Sequence, residues 1–350
     1  MIRVKAPARI CLFGDHQDYL NLPVIAASID RYIYIEAQPN QQKVLNFNLS
    51  DLKITRQITL VPTQVEKGDY LCSTLSVLHA NHITLDSGYD IKIYSEIPVN
   101  AGVSSSSALI IAFIRFILQA TETTASDLQI ANWAHQAEVD FFNEPGGIMD
   151  HYSSALGGLR LIEPETRHTE AFVNPHNDLL LAHSGLPKST LGVLGKAKQY
   201  ALEAVAAVKQ YEPQFSLKLA KEDDIKRLGS KLSTQLFPYF EAAIENHLIT
   251  KEAIRIYRQA TSNESTLTTL EQLIERHQYY LDTAIKNTPE LMHIQMNEAK
   301  NAGAQAVKVM GSGGGGCFII LAPKESHPEI IKAVLQQHAK FVEPIQITSH

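Results

Sequence analysis

Cysteine is scarce in this chain of 350 residues, which carries only three: Cys11, Cys72 and Cys317. Their odd number and wide spacing exclude a disulfide framework and a paired-cysteine metal site, and point to a reducing compartment. Long apolar runs are missing too. The most apolar helix-like stretch, Leu109 to Ala120, has 12 residues and contains Arg115, short of the roughly 20 needed to span a bilayer. The opening MIRVKAPARICLFGDH turns polar before a signal-peptide core could be completed, so a cytoplasmic protein is expected. No block of one charge sign occurs, and the net charge is −6; nothing resembles the basic footprint that a nucleic-acid backbone requires. Neither a G-x-x-x-x-G-K-[ST] loop nor the H-R-D and D-F-G elements of protein kinases are found.

What is present describes a globular chain with 45% hydrophobic and 19% charged residues, long enough for two domains. Its first hundred residues hold several short β-like runs, among them Tyr32–Ala37, Lys43–Leu49, Lys53–Leu60 and Tyr89–Ile97. Helical segments are expected over Ser105–Thr121 and Ser126–Phe142, with Ser126 as N-cap. Residues 188–302 read as mostly helical, with joints near Glu212 and Asn263. Strands and helices mix without regular βαβ alternation, so the fold class is α+β. A boundary falls between Pro164 and Pro175, dividing the chain into domains of 1–170 and 171–350.

Three clusters carry chemistry. In PVNAGVSSSSAL a four-serine run follows a strand and enters ALIIAFIRFIL, a helix apolar on nearly all faces. A solvated linker would not lead straight into a core helix. The helix N-terminus offers unpaired N–H groups and the positive end of its dipole, with Gly102 permitting close approach and Ser104 to Ser107 adding hydroxyls, an arrangement suited to phosphate. In VMGSGGGGCFII, five of the six positions from Gly311 to Gly316 are glycine. The spacing satisfies G-x-G-x-x-G, but β-like runs on both sides exclude a dinucleotide fingerprint, which needs a following helix. A hairpin whose backbone approaches a ligand is expected instead. In APARICLFGDHQDYL, Arg9, Asp15, His16 and Asp18 lie within ten residues around a turn at Gly14, supplying donors and acceptors for a polyol.

Taken together, these three motifs resemble those of the GHMP kinases, the small-molecule kinases named for galactokinase, homoserine kinase, mevalonate kinase and phosphomevalonate kinase. The likeness runs from Ala6 to Leu321, and AEVDFFNEPGGIMDHYSSALGG resembles the galactokinase segment ending in G-I-M-D-Q. The resemblance implies a two-domain GHMP-kinase fold: an N-terminal α+β domain holding ATP phosphates, a C-terminal ferredoxin-like domain, and substrate in the cleft between them. By matching of positions it implies Asp150 as acceptor of the substrate hydroxyl's proton and Arg9 as its catalytic partner. Ser106 and Glu138 become Mg²⁺ ligands, and Asp15, His16 and Asp18 become sugar ligands. Gly102, Val103, Ser104, Ser105, Ser106, Ser107, Gly311, Gly313 and Gly314 are expected around ATP. A neighbouring arginine should keep the Asp150 carboxyl low.

The activity implied is ATP-dependent phosphorylation of a sugar, at the anomeric hydroxyl of galactose or a relative. Mevalonate kinase and a non-catalytic sugar and ATP sensor are the alternatives. The chain departs from typical galactokinases by reading GDHQDYLNL where they read GEHTDYNGG, and by His151 in place of glutamine; SGLPKST resembles the mevalonate branch.

Overall fold

The computed structural model describes residues 1–51, 53–188, 190–259 and 264–348; the joint expected near Asn263 lies outside them. The first half runs β1 (Ile2–Phe13), β2 (Val24–Pro39), β3 (Val44–Leu49), β4 (Ile54–Thr59), α1 (Tyr70–Ala80), β5 (Tyr89–Ser95), α2 (Ser105–Ala120), α3 (Asp127–His135), α4 (Met149–Leu156), β6 (Leu159–Glu163) and β7 (His168–Phe172). These strands form one sheet in the order β4-β3-β5-β2-β6-β7, with β1 also pairing β2. All its pairings are antiparallel except β3 with β5.

Two elements of this sheet position the site. Strand β1 alternates between partly buried and exposed residues up to Lys5 and is wholly buried from Ala6 onward. That change of pattern marks where the strand leaves a half-solvated sheet and is covered on both faces, by α2 and α4 on one side and by helices of the second half on the other. Helix α2 is buried along nearly its whole length, with Ile110, Ile111, Phe113, Ile114 and Phe116 fully inaccessible. Phe113 packs against Phe47 and Phe116. Burial at this density anchors the serine-bearing end of α2.

The second half runs β8 (Leu179–His183), α5 (Thr190–Tyr211), α6 (Glu222–Gly229), α7 (Phe237–Arg258), α8 (Glu264–Tyr280), α9 (Glu290–Asn301), β9 (Ala306–Val309), β10 (Cys317–Leu321), α10 (His327–Gln336) and β11 (Phe341–Ile345). Its four strands pair antiparallel in the order β11-β8-β10-β9, the fourth-first-third-second arrangement of a ferredoxin-like sheet. The period of two is explicit here: Leu179, Leu181, Ile319 and Leu321 join the main core shared with the first sheet, whereas Leu180, Ala182, Phe318 and Ile320 face a second core with Met292, Ile330 and Val334 of α9 and α10. A third cluster, with Val208, Phe215 and Phe240, consolidates α5, α6 and α7.

Division at residue 170 falls inside β7, which pairs with β6 through Phe172. The change of sheet therefore lies within 173–178, because β7 is needed to cover the edge of β6. The helix expected over Ser126–Phe142 keeps its Ser126 cap, whose side chain accepts from the Gln129 N–H, but from Gln136 to Asp140 it widens into a π turn. No described helix is long and apolar enough to cross a membrane.

Candidate active site

A cleft of about 440 Å³ opens between the two sheets, within the size range of small-molecule sites. One end of it is the start of α2. Gly102 has φ +86, and a Cβ there would meet the Met310 carbonyl oxygen at 2.6 Å, so glycine is required both by conformation and by space. Ser104 occupies the N-cap with φ +61, a strained conformation for a residue with a side chain. Its side chain makes no cap hydrogen bond, so the first amides of α2 stay open toward the cleft.

Glu138 closes this end. The π turn brings its carboxylate to the serine loop, as such insertions often do at functional sites. Ser106 Oγ donates to Oε1 at 2.5 Å, Ser107 Oγ donates to Oε2 at 2.7 Å, and His151 Nε2 lies 2.8 Å from Oε2. Burial alone would raise the Glu138 carboxyl, but His151 and the two hydroxyls outweigh it and hold the group below its ordinary range. The His135 ring packs edge-on against His151, with centroids 5.3 Å apart, and burial lowers it to about 4.

At the centre stand Arg9 and Asp150. Arg9, on the buried part of β1, donates from Nε to Asp150 Oδ1 at 2.8 Å and approaches the same oxygen with Nη2 at 2.7 Å. Its Nη1 bonds the Gly102 carbonyl. Arg9 is 3% exposed and Asp150, in the first turn of α4, keeps 34% of its side chain open to the cleft. Burial pushes the Asp150 carboxyl up, and the Arg9 charge more than compensates, so the group sits below the usual carboxylate range as expected.

At the substrate-facing end, Asp18 is crowded against Gly147, where a Cβ would fall 1.9 Å from Asp18 Oδ2. Burial, and then the neighbouring Asp150, push Asp18 up to about 6. His16, with φ +63, holds Tyr19 Oη at 3.0 Å through Nδ1 and the Ser312 carbonyl at 3.2 Å through Nε2. Since a carbonyl only accepts, Nε2 carries the proton and Nδ1 accepts from the tyrosine. Burial lowers His16 to about 4, so the ring is neutral. Asp15 is ion-paired with Lys308.

The cleft thus brings together Arg9, Asp15, His16, Asp18, Gly102, Ser104, Ser105, Ser106, Ser107, Glu138, Asp150 and Gly311. Val103, Gly313 and Gly314 are not among its lining residues. Val103 is fully buried and its carbonyl accepts from the Arg9 N–H. The glycine loop is shaped largely by protein backbone: a Cβ at Gly313, Gly315 or Gly316 would meet the carbonyl oxygens of Asn287, Pro187 and Ala101, each at 2.5 Å. Gly314 N–H donates to Asn287 O at 2.6 Å. Most of those glycines therefore answer to packing, and Gly311 and Ser312 to the cleft.

Two lysines escaped the sequence reading. Lys188 follows β8 and lies beside both glycine loops, since Cβ atoms built at Gly102 and Gly311 would stand 3.4 and 3.2 Å from its Nζ. Burial and the Arg9 charge lower it to about 8. Nothing in SGLPKST announces this. Lys308 did leave a signal: a lysine in the otherwise apolar run AVKVM, where every strand residue proves buried.

The cleft, with its open helix terminus, carboxylate pair and acidic turn, belongs to a phosphotransferase whose acceptor is an alcohol. Residues 69–158 match the GHMP kinases N terminal domain, 251–340 the GHMP kinases C terminal domain, and 2–39 the galactokinase galactose-binding signature; the chain belongs to the GHMP kinases. A galactokinase of Mannheimia succiniciproducens is 25% identical over 97% of this chain and 90% of its own length. A mevalonate kinase of Thermococcus onnurineus is 25% identical over 95% and 92%. Among solved structures, the Lactococcus lactis galactokinase complexed with galactose superposes with a TM-score of 0.88 at 20% identity, covering 99% of this chain and 93% of that one. The Methanococcus jannaschii mevalonate kinase gives 0.75 at 18% identity, covering 99% and 98%.

Proposed function

We propose that the chain transfers the terminal phosphoryl group of ATP to the anomeric hydroxyl of galactose or a closely related sugar, giving the anomeric sugar phosphate and ADP. One observation carries the reading: Asp150, ionised and clamped by Arg9, stands between an open phosphate-binding helix terminus and a turn that presents Asp15 and Asp18. The galactose-binding signature over 2–39 covers that turn. Sugar hydroxyls can donate to Asp15 Oδ1 and to Asp18, whereas the carboxylate of mevalonate has no hydrogen to offer them.

Phosphoryl transfer proceeds through a loose transition state, so positioning and charge stabilisation dominate and a strong base is not needed. Asp150 orients the attacking hydroxyl and takes its proton as the bond to phosphorus forms. Arg9 holds Asp150 in place, spending three of its five N–H donors on Asp150 and Gly102; Lys188, beside both glycine loops, is the second cation that meets the migrating phosphoryl. The α2 amides hold the remaining phosphate oxygens.

Ser106 and Glu138 fit Mg²⁺. They are hard oxygen donors within 2.5 Å of each other, and the carboxylate is kept ionised. Among the described residues no group of three or more acidic, histidine or cysteine side chains forms an all-protein cage, and Mg²⁺ ordinarily completes its shell with phosphate oxygens and water. When bound it would neutralise charge on the phosphates.

The decisive experiment is an ADP-release assay over galactose, galacturonate, arabinose, fucose, glucuronate and mevalonate. Turnover of galactose or another neutral sugar is expected. Turnover of mevalonate alone would overturn the sugar reading, and sugar binding without ADP release on any acceptor would favour a sensor.

A further inference from the structure

Four consecutive residues of the substrate turn are held by four different elements of the C-terminal half. Gly14 N–H donates to His277 Nε2 of α8 at 2.9 Å. Asp15 is paired with Lys308 of β9. His16 Nε2 reaches the Ser312 carbonyl of the β9–β10 loop at 3.2 Å. Gln17 Oε1 accepts from Thr250 Oγ1 of α7 at 3.4 Å. The turn grows out of β1 in the first sheet, yet each of these four residues has a partner in the second domain.

The lysine is the most tightly committed of these. Lys308 is 0% exposed and Asp15 1%. Besides Asp15 Oδ2, its Nζ reaches the carbonyls of Cys11 at 3.1 Å and Val309 at 3.2 Å, which together account for the three hydrogens of an ammonium group. Asp15 Oδ1 has no hydrogen-bond partner in the protein, although Asp15 lines the cleft. A buried carboxylate oxygen without a donor is costly unless a ligand supplies one.

We infer that the C-terminal domain sets the shape of the substrate turn, with Lys308 as a positioning residue that consumes one oxygen of Asp15 and leaves the other for a single substrate hydroxyl. The inference rests on the sugar reading above. It makes Asp15 a one-hydroxyl gauge and not a bidentate clamp, and it couples acceptor recognition to the packing of the two domains.

Asp15→Asn tests the count. The amide would keep its oxygen toward Lys308 and turn a donor toward the cleft. Galactose and a set of analogues, each lacking one non-anomeric hydroxyl, are assayed on both forms as double-mutant cycles. One analogue should lose about tenfold or more in kcat/KM with the wild-type chain and little further with Asp15→Asn, as expected for one hydrogen bond to a charged group; the others should lose equal factors in both. Coupling at two hydroxyls, or at none, overturns the inference while leaving the sugar reading intact. Failure of the wild-type chain to turn over any hexose sinks both.

Lys308→Met should raise the sugar KM by about tenfold with the ATP KM unchanged. Because it strands a buried carboxylate, Asp15→Asn/Lys308→Met, which removes both charges, is the folded comparison. Its sugar KM should exceed that of Asp15→Asn alone; equality, or a parallel rise in both KM values, would show that Lys308 only supports the fold.

Discussion

The two ends of the cleft are built by different means. At the phosphate end, recognition comes from backbone amides, small side chains and Ser106, Ser107 and Glu138, which lie within 32 positions of one another. At the acceptor end, each functional group depends on a distant partner: Arg9 with Asp150 across 141 positions, His16 with Ser312 across 296, and Asp15 with Lys308 across 293. A helix terminus binds phosphate through geometry that any sequence of small residues can supply. Acceptor choice needs side chains fixed within a few tenths of an ångström, and here the second domain fixes Asp15 and His16. Relatives named for galactose and for mevalonate are both similar to this chain over nearly its whole length.

The comparison breaks most severely at the centre, where the two ends meet. Asp150→Asn should leave ATP affinity and the melting temperature near the parent values and lower kcat by roughly three orders of magnitude, the scale of a positioned proton acceptor. Single-turnover assays with ATP binding measured separately would check it; a variant with near-normal kcat would remove Asp150 from the mechanism.

Lys188 provides the next largest effect. Lys188→Met should cost about a hundredfold in kcat, in line with the loss of one charge-stabilising donor. Because burial and Arg9 bring Lys188 down to about 8, its charge is present below that pH and lost above it. The wild-type rate should therefore fall on the alkaline side as pH passes about 8. Lys188→Arg, which stays charged, should move that limb upward whatever its absolute rate. An unmoved limb would assign the titration elsewhere.

Ser106→Ala sharpens the contrast from the phosphate side. It should raise the Mg²⁺ and ATP concentrations needed for half-maximal rate by about tenfold, the scale of one hydrogen bond to a charged group, and leave the sugar KM within twofold. Equal damage at both substrates would mean that the serine loop shapes the whole cleft.

How far each end was legible in the sequence follows from the same difference. The serine loop was readable because its chemistry lies in the transition it occupies, strand to glycine bend to apolar helix, all of it local. Glu138, Asp150 and the pairing of Arg9 with Asp150 were reached only through motif likeness, since no spacing rule brings residues this far apart together. The glycine loop reads two ways: its glycines are too many for one turn, and Gly313, Gly315 and Gly316 yield to neighbouring carbonyls, a packing demand that a single sequence does not distinguish from a ligand's. Lys188 had no signal because its environment is created by two loops folding over it. Lys308 had one, a cation amid buried apolar residues, and its meaning appears only once Asp15 is seen as its partner. The division at residue 170 falls inside β7 because that strand carries no apolar alternation, with no residue of HTEAF buried.

The smallest expected effect concerns stability and separates Asp18 from its neighbours. Asp18 is pushed from 3.8 up to about 6 in the folded state, by burial first and by Asp150 second. A carboxyl whose folded value is raised binds its proton more tightly when folded, so its contribution to stability is full below about 3.8 and is lost as pH rises through about 6. At neutral pH the ionised group is thus a cost that the fold carries for acceptor binding. Asp18→Asn should raise the melting temperature of the ligand-free protein by a few degrees at pH 7, with no gain below about pH 4. The same variant should weaken sugar binding, because the amide replaces an acceptor oxygen. Stability gained together with affinity lost is the signature of a group strained for function. A stability loss at neutral pH would instead make Asp18 part of the scaffold that holds Gly147 and the start of α4.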